Sequence, residues 1–113
     1  MVTEDYLTVD ISGGVATIWM DQKNEKINKV SADLVACFEE VLEPLTNNNE
    51  VKAIVLMSKK KDFIAGADIE MFQKVQKPGD IKPLTEKGHE YLKKIADFPK
   101  PVVAAVHGNC LGA

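Results

Sequence analysis

Two short stretches carry the residue types that backbone-mediated chemistry needs. Phe63-Ile64-Ala65-Gly66-Ala67-Asp68 follows an apolar run, and His107-Gly108-Asn109-Cys110-Leu111-Gly112-Ala113 follows another. Small side chains let a backbone come close to a ligand, and amides at a helix start point outward as donors. In α/β sheets, ligands bind at the edge where strands hand over to such loops. If each loop donates one N–H to the same carbonyl oxygen, the pair forms an oxyanion hole. The first loop alone reads equally as a tight turn that needs small residues for packing, and the second alone reads first as a plain turn. The chemical reading rests on the pair.

The nucleophilic and titratable side chains nearby have plainer readings. His107 is expected to be a satisfied turn histidine and His89 to face solvent from a helix. Cys110 has no evident base beside it and is expected to be inert. Asp68 suits an N-cap and loop anchor better than an acid catalyst. Glu70 and Glu90 are expected on the surface, and Lys59-Lys60-Lys61 as a solvated turn, with a phosphate contact as the functional alternative. Trp19 and Phe38 are expected in the core.

The elements that must position these loops follow from periodicity. Tyr6 to Ile11 alternates, with Leu7, Val9 and Ile11 on one face, and Ser12-Gly13-Gly14 is a turn before Val15 to Met20. Together they predict a β-hairpin. Asp21 to Val30 is a polar loop. Ser31 is an N-cap for a helix whose Leu34, Val35, Phe38, Val41, Leu42 and Leu45 recur at helical spacing, closed by Asn47-Asn48-Asn49. Ala53 to Met57 is apolar on both faces, as in a covered parallel strand. A short helix is expected from about Asp68 until Lys77-Pro78-Gly79. Another is expected over Lys82 to Ala96, with Leu84, Gly88, Tyr91, Leu92 and Ile95 on one side. Val102 to Val106 then reads as a further buried strand. Strands reached by helical crossovers predict an α/β fold with a partly parallel sheet.

The chain has 113 residues, 45% of them hydrophobic and 27% charged, with a net charge of -3. That is ordinary globular composition. The charge does not suggest nucleic acid or an anionic membrane as partner. No apolar run approaches the roughly 20 residues of a membrane helix, and the N-terminus lacks the pattern of a signal peptide. The two cysteines, Cys37 and Cys110, lack metal-ligand spacing and are expected to be reduced thiols in a cytoplasm-like compartment. The ending on Gly112-Ala113 resembles the mouth of another helix, so a fragment is expected.

From about Tyr6 to Ala113 the sequence resembles the enoyl-CoA hydratase/isomerase (crotonase) family. Phe63-Ile64-Ala65-Gly66-Ala67-Asp68-Ile69 is similar to the family's loop after its third strand. Lys100-Pro101-Val102-Val103-Ala104-Ala105-Val106-His107-Gly108, followed by Cys110-Leu111-Gly112, is similar to the approach to its second oxyanion loop. The variant resembles most the hydratase part of multienzyme fatty-acid-oxidation α-subunits.

The resemblance implies the N-terminal portion of a ββα spiral, here a partial domain over residues 1–113. It implies hydration of trans-2-enoyl-CoA to 3-hydroxyacyl-CoA, with an acyl-CoA thioester as substrate, no metal, and no cofactor beyond the coenzyme A that the substrate carries. The parent is expected to be a homo-oligomer or part of a multienzyme complex, in a bacterial cytoplasm or mitochondrial matrix. By position, the N–H groups of Ala67 and Ala113 match the two oxyanion donors, although the family usually has Gly at the second. The Ala65 carbonyl matches the acceptor for the adenine amino group, and Lys26-Ile27-Asn28 matches a loop lining the CoA site. Gly66, Asp68, Ile69 and Gly112 flank these groups in the substrate-binding set. Glu70 stands where many hydratases have Lys, so a CoA-phosphate contact is not carried over. The family's two catalytic glutamates fall outside these 113 residues, so the fragment alone is expected to be inactive. Isomerase or thioester hydrolase chemistry, or a non-catalytic folding or interaction module, are the alternatives.

Overall fold

The computed structural model describes residues 3–67, 77, 79 and 81–112. A 3-10 turn, Thr3–Asp5, precedes strand β1, Leu7–Ser12, which pairs antiparallel with β2, Val15–Met20. The hairpin turn takes Gly13 to φ 58° and Gly14 to φ 83°. Both lie in the left-handed region, where a residue without Cβ carries no steric cost.

Helix α1, Ala32–Thr46, begins at the expected cap, where the Ser31 hydroxyl accepts from the Leu34 N–H at 3.2 Å. That bond satisfies one of the amides a helix start leaves unpaired. The other end closes at Asn47, with help from far along the chain. Lys100 Nζ donates to the carbonyls of Leu45 at 2.7 Å and Asn48 at 2.8 Å. An ammonium there meets both free carbonyls and the negative end of the helix dipole.

Strand β3 is Ala53–Ser58, helix α2 is Ile81–Ala96 and strand β4 is Val102–Ala104. The sheet order is β1-β2-β3-β4. β3 runs parallel to β2 (Val15 opposite Ala53, Met20 opposite Ser58) and to β4 (Ile54 opposite Val102, Leu56 opposite Ala104). The sheet is therefore partly parallel, as the helical crossovers require. Ala16, Ile18 and Met20 of β2 and Ile54 of β3, each at most 1% exposed, form one core with Leu34, Cys37, Phe38, Leu42 and Leu45 of α1.

The side-chain expectations fail where an element is covered on one side only. On β1, Leu7 is buried but Val9 is 39% and Ile11 42% exposed. Trp19 is half-buried rather than core. Strand alternation sends Ile18 and Met20 inward, so Trp19 points to the other face, where Lys59 Nζ lies 5.6 Å from its ring. β3 buries Ile54 but leaves Val55, Leu56 and Met57 half-exposed. β4 is three residues long, and Val103 and Val106 are 56% and 54% exposed. As the last strand of the sheet, it is paired along one side only. On α2, Tyr91 and Ile95 pack on the core, whereas Leu92, one position off that face, is 58% exposed. The Leu84 side chain and the short helix expected from Asp68 lie outside the described residues.

Removing the cap hydroxyl by Ser31→Ala should lower stability by about 1 kcal/mol, read as a shift of the urea midpoint without a change of slope. The thiols should separate as well. Burial pushes the Cys37 thiol above its usual pKa, while Cys110 is exposed. A thiol reagent at pH 8 should modify Cys110 at once and Cys37 only after denaturant is added.

Candidate functional site

Because β2, β3 and β4 run parallel, the segments leaving their C-terminal ends emerge at one edge of the sheet. These are residues 21–30, 59–67 and 105–112. The middle one is stitched to both others. On one side, the Ala65 N–H donates to Asn28 O at 2.9 Å and the Val30 N–H to Gly66 O at 2.9 Å. On the other, the Ile64 N–H donates to Asn109 O at 3.3 Å and the Leu111 N–H to Ile64 O at 3.0 Å, a parallel bridge between Ile64 and Cys110. The Phe63 N–H is shared between the carbonyls of His107 and Asn109, both at 3.0 Å.

One peptide group in this layer has a defined direction. Gly66 adopts φ 118°, a conformation that side chains oppose and glycine permits. Its carbonyl and the Ala67 N–H belong to one planar trans unit, so they point opposite ways. With Gly66 O held by Val30, the Ala67 N–H is turned away from segment 28–30. Among the described residues that N–H has no hydrogen-bond partner, and Ala67 is exposed. A directed amide with no partner among the described residues fits donation to an external oxygen.

Of the residues singled out in the sequence, Ala65 and Gly66 are half-buried beside Ala67, while Lys26 is exposed and Ile27 half-buried on the adjoining loop. Gly112 is exposed, with φ 63°, just after the Leu111 contact. Asp68, Ile69, Glu70 and Ala113 lie outside the described residues. His107 is held as a turn residue, its Nε2 2.7 Å from Lys60 O. The lysine run is not a uniform solvated turn. Lys60 is only 11% exposed, pairs with Asp21 at 3.1 Å and donates to the Glu25 carbonyl at 2.6 Å. A charged group largely withdrawn from water needs such partners.

Two residues organise the edge in a way the sequence did not reveal. Asn28 is 2% exposed and, with Ser58, is one of the two buried polar residues among those described. Asp62 Oδ1 accepts the Asn109 N–H at 2.9 Å, joining the second loop to the first. Gly108 makes this approach possible: a Cβ there would lie 2.5 Å from Lys61 O and 2.6 Å from Asp62 Oδ1. A single Asn or Asp in a polar loop has no periodicity to betray it.

A further cavity lies elsewhere. A groove of about 620 Å³ between α1 and α2 is lined by Glu39, Leu42, Glu90, Tyr91 and Lys94 among others, and by no residue of the three loops. Burial, and secondarily Glu39, raise the Tyr91 phenol far above its ordinary pKa, so it stays protonated. Among the described residues, no cluster of three or more His, Cys, Asp or Glu could hold a metal, and no helix is long and apolar enough to cross a membrane.

Gly108→Ala and Gly13→Ala separate crowding from backbone conformation. Both glycines have φ near +60°, but a Cβ at Gly13 meets nothing within 4 Å. Gly13→Ala should cost about 1–2 kcal/mol, and Gly108→Ala distinctly more, compared by urea unfolding.

The sequence profile of the family described as Enoyl-CoA hydratase/isomerase matches residues 10–113. A relative named fatty acid oxidation complex subunit alpha, from Shewanella sp. (strain ANA-3), is 39% identical over 100 residues, which cover 88% of this chain and 14% of the relative. The chain thus spans about one-seventh of the length of the curated relatives it matches. The fold superposes on the crystal structure of an enoyl-CoA hydratase from Shewanella pealeana ATCC 700345 with a TM-score of 0.81 and 26% identity, covering 96% of this chain and 43% of that one. A probable enoyl-CoA hydratase from Mycobacterium thermoresistibile gives a TM-score of 0.78 at 28% identity, over 93% of this chain and 42% of that one. Side-by-side loops at one edge of this sheet, a profile match over almost the whole length and superposition on solved hydratases have one explanation: the chain belongs to the enoyl-CoA hydratase/isomerase (crotonase) family.

Proposed function

We propose that this chain supplies the thioester-polarising part of an enzyme that hydrates trans-2-enoyl-CoA to 3-hydroxyacyl-CoA in fatty acid β-oxidation. The observation that carries the reading is the Ala67 N–H, fixed in direction through Gly66 and Val30 and, among the described residues, without a hydrogen-bond partner at the edge the three loops share. Adding water at C3 of an enoyl thioester drives electron density onto the thioester oxygen. A preorganised amide stabilises that charge without reorganising, and losing one such donor costs roughly 100- to 1,000-fold in rate. Ala67 is the first donor and Ala113 the second. Ala65, Gly66, Asp68, Ile69 and Gly112 are assigned to the substrate-binding set. Lys26 and Ile27, on the loop after β2, face the coenzyme A part of the substrate. The carboxyl groups that move protons are assigned to no residue of 1–113. The relatives named as subunits of a fatty acid oxidation complex support placement in a multienzyme assembly.

The test uses cinnamoyl-CoA, whose conjugated thioester absorbs at longer wavelength when its carbonyl is polarised. Titrated with this chain, it should bind saturably with a red-shifted band. Crotonyl-CoA should show no hydration above background in the same solution. Absence of binding, or binding with an unshifted spectrum, would overturn the polarising role. Turnover by the chain alone would overturn the assignment of the carboxyl groups elsewhere.

A further inference from the structure

We propose that Asn28 is a positioning residue for the first thioester-binding loop, an inference that rests on the reading of Ala67 as a carbonyl-polarising donor. A carboxamide only 2% exposed is costly unless its polar atoms are bonded. Those of Asn28 are, and the bonds reach different segments of the edge. Nδ2 donates to Ser58 Oγ at 2.8 Å, to Phe63 O at 3.2 Å and, more weakly, to Met20 O at 3.4 Å, while Oδ1 accepts the Gln22 N–H at 3.1 Å. Ser58 Oγ passes the connection on by donating to Asp62 O at 2.8 Å and accepting the Lys60 N–H at 3.0 Å.

The side chain thus pins residue 28 to the ends of β2 and β3. From that anchor the backbone of 28–30 works on the loop: Asn28 O holds the Ala65 N–H, and the Val30 N–H holds Gly66 O. The second contact sets the peptide plane that carries the Ala67 N–H. Asn28 touches no substrate in this account. It orients Ala67 through Val30 and Gly66, and a small rotation of that plane would swing the donor off the thioester oxygen.

Asn28→Asp is the informative change, because it keeps shape and the acceptor for Gln22 but removes both N–H donors and sets a carboxylate against the Phe63 carbonyl. Amide exchange and cinnamoyl-CoA titration are measured together on this chain. The variant should bind the thioester within about 3-fold of the parent affinity but lose most of the red shift. Its Ala65 and Val30 amides should exchange at least 10-fold faster, while Ile18 and Ile54 in the core keep their protection. An unchanged shift and unchanged Ala65 and Val30 exchange in the folded variant would overturn the proposal. If Asn28→Asp does not fold, Ser58→Ala carries the same two readouts, with the same outcomes for and against. A parent chain that binds without any shift removes the polarising role itself. That failure is distinct, because exchange in the variants would still report whether Asn28 holds the loop.

Discussion

The parallel pairing of β3 with both β2 and β4 is the constraint on which the rest depends. Antiparallel neighbours would send successive loops to opposite ends of the sheet. Parallel ones bring the segments after β2, β3 and β4 to one edge, at the cost of long crossovers that must return the chain each time. α1 makes the first return and is anchored at both ends, by Ser31 at its start and by Lys100 at its close. Lys100 directly precedes Pro101, whose carbonyl accepts the Ile54 N–H at 2.8 Å as β4 begins. One ammonium therefore ties the end of the first crossover to the start of the strand that delivers the last loop.

At that edge, order comes from hydrogen bonds rather than from apolar packing. Polar loops bury little hydrophobic surface, so their geometry needs directional bonds to outweigh chain entropy. Segment 64–67 has neighbours on both sides, like the centre strand of a small sheet, and Asn28, Ser58 and Asp62 fasten that layer to the main one. Satisfied buried networks of this kind specify one arrangement, because each alternative strands a polar group away from water. The glycines have two separate tasks here. Gly66 supplies a backbone conformation, and Gly108 supplies room for Lys61 O and Asp62 Oδ1.

A net charge of -3 does not conflict with the anionic substrate proposed for this edge. Amide dipoles act over hydrogen-bond distance and do not depend on the overall charge. The lysines at the edge are partly committed to the protein: Lys60 to Asp21 and Glu25, Lys59 to the Trp19 ring. Their first service is to close the turn that places the loop.

Local physics made the elements legible. The hairpin, the Ser31 cap, the α1 stripe and the two strand-to-loop handovers are written in periods of two and 3.6 and in glycines whose φ values are positive. The family was legible too, since Phe63–Ile69 and Lys100–Gly112 keep its residue types in its order. Burial was not. Val9, Ile11, Val103 and Leu92 are apolar at the expected spacing and still exposed, because a side chain's periodicity says which way it points and not what lies opposite. The anchoring roles of Asn28 and Asp62 were invisible for a related reason: their partners, Ser58 and Asn109, stand 30 and 47 residues away. The sequence by itself determined which segments become strands, helices and small-residue loops, since those depend on neighbours along the chain. The tertiary structure alone decided that the loops meet and that Gly66 turns the Ala67 amide away from segment 28–30, because the bonds responsible join residues that only the parallel sheet brings together.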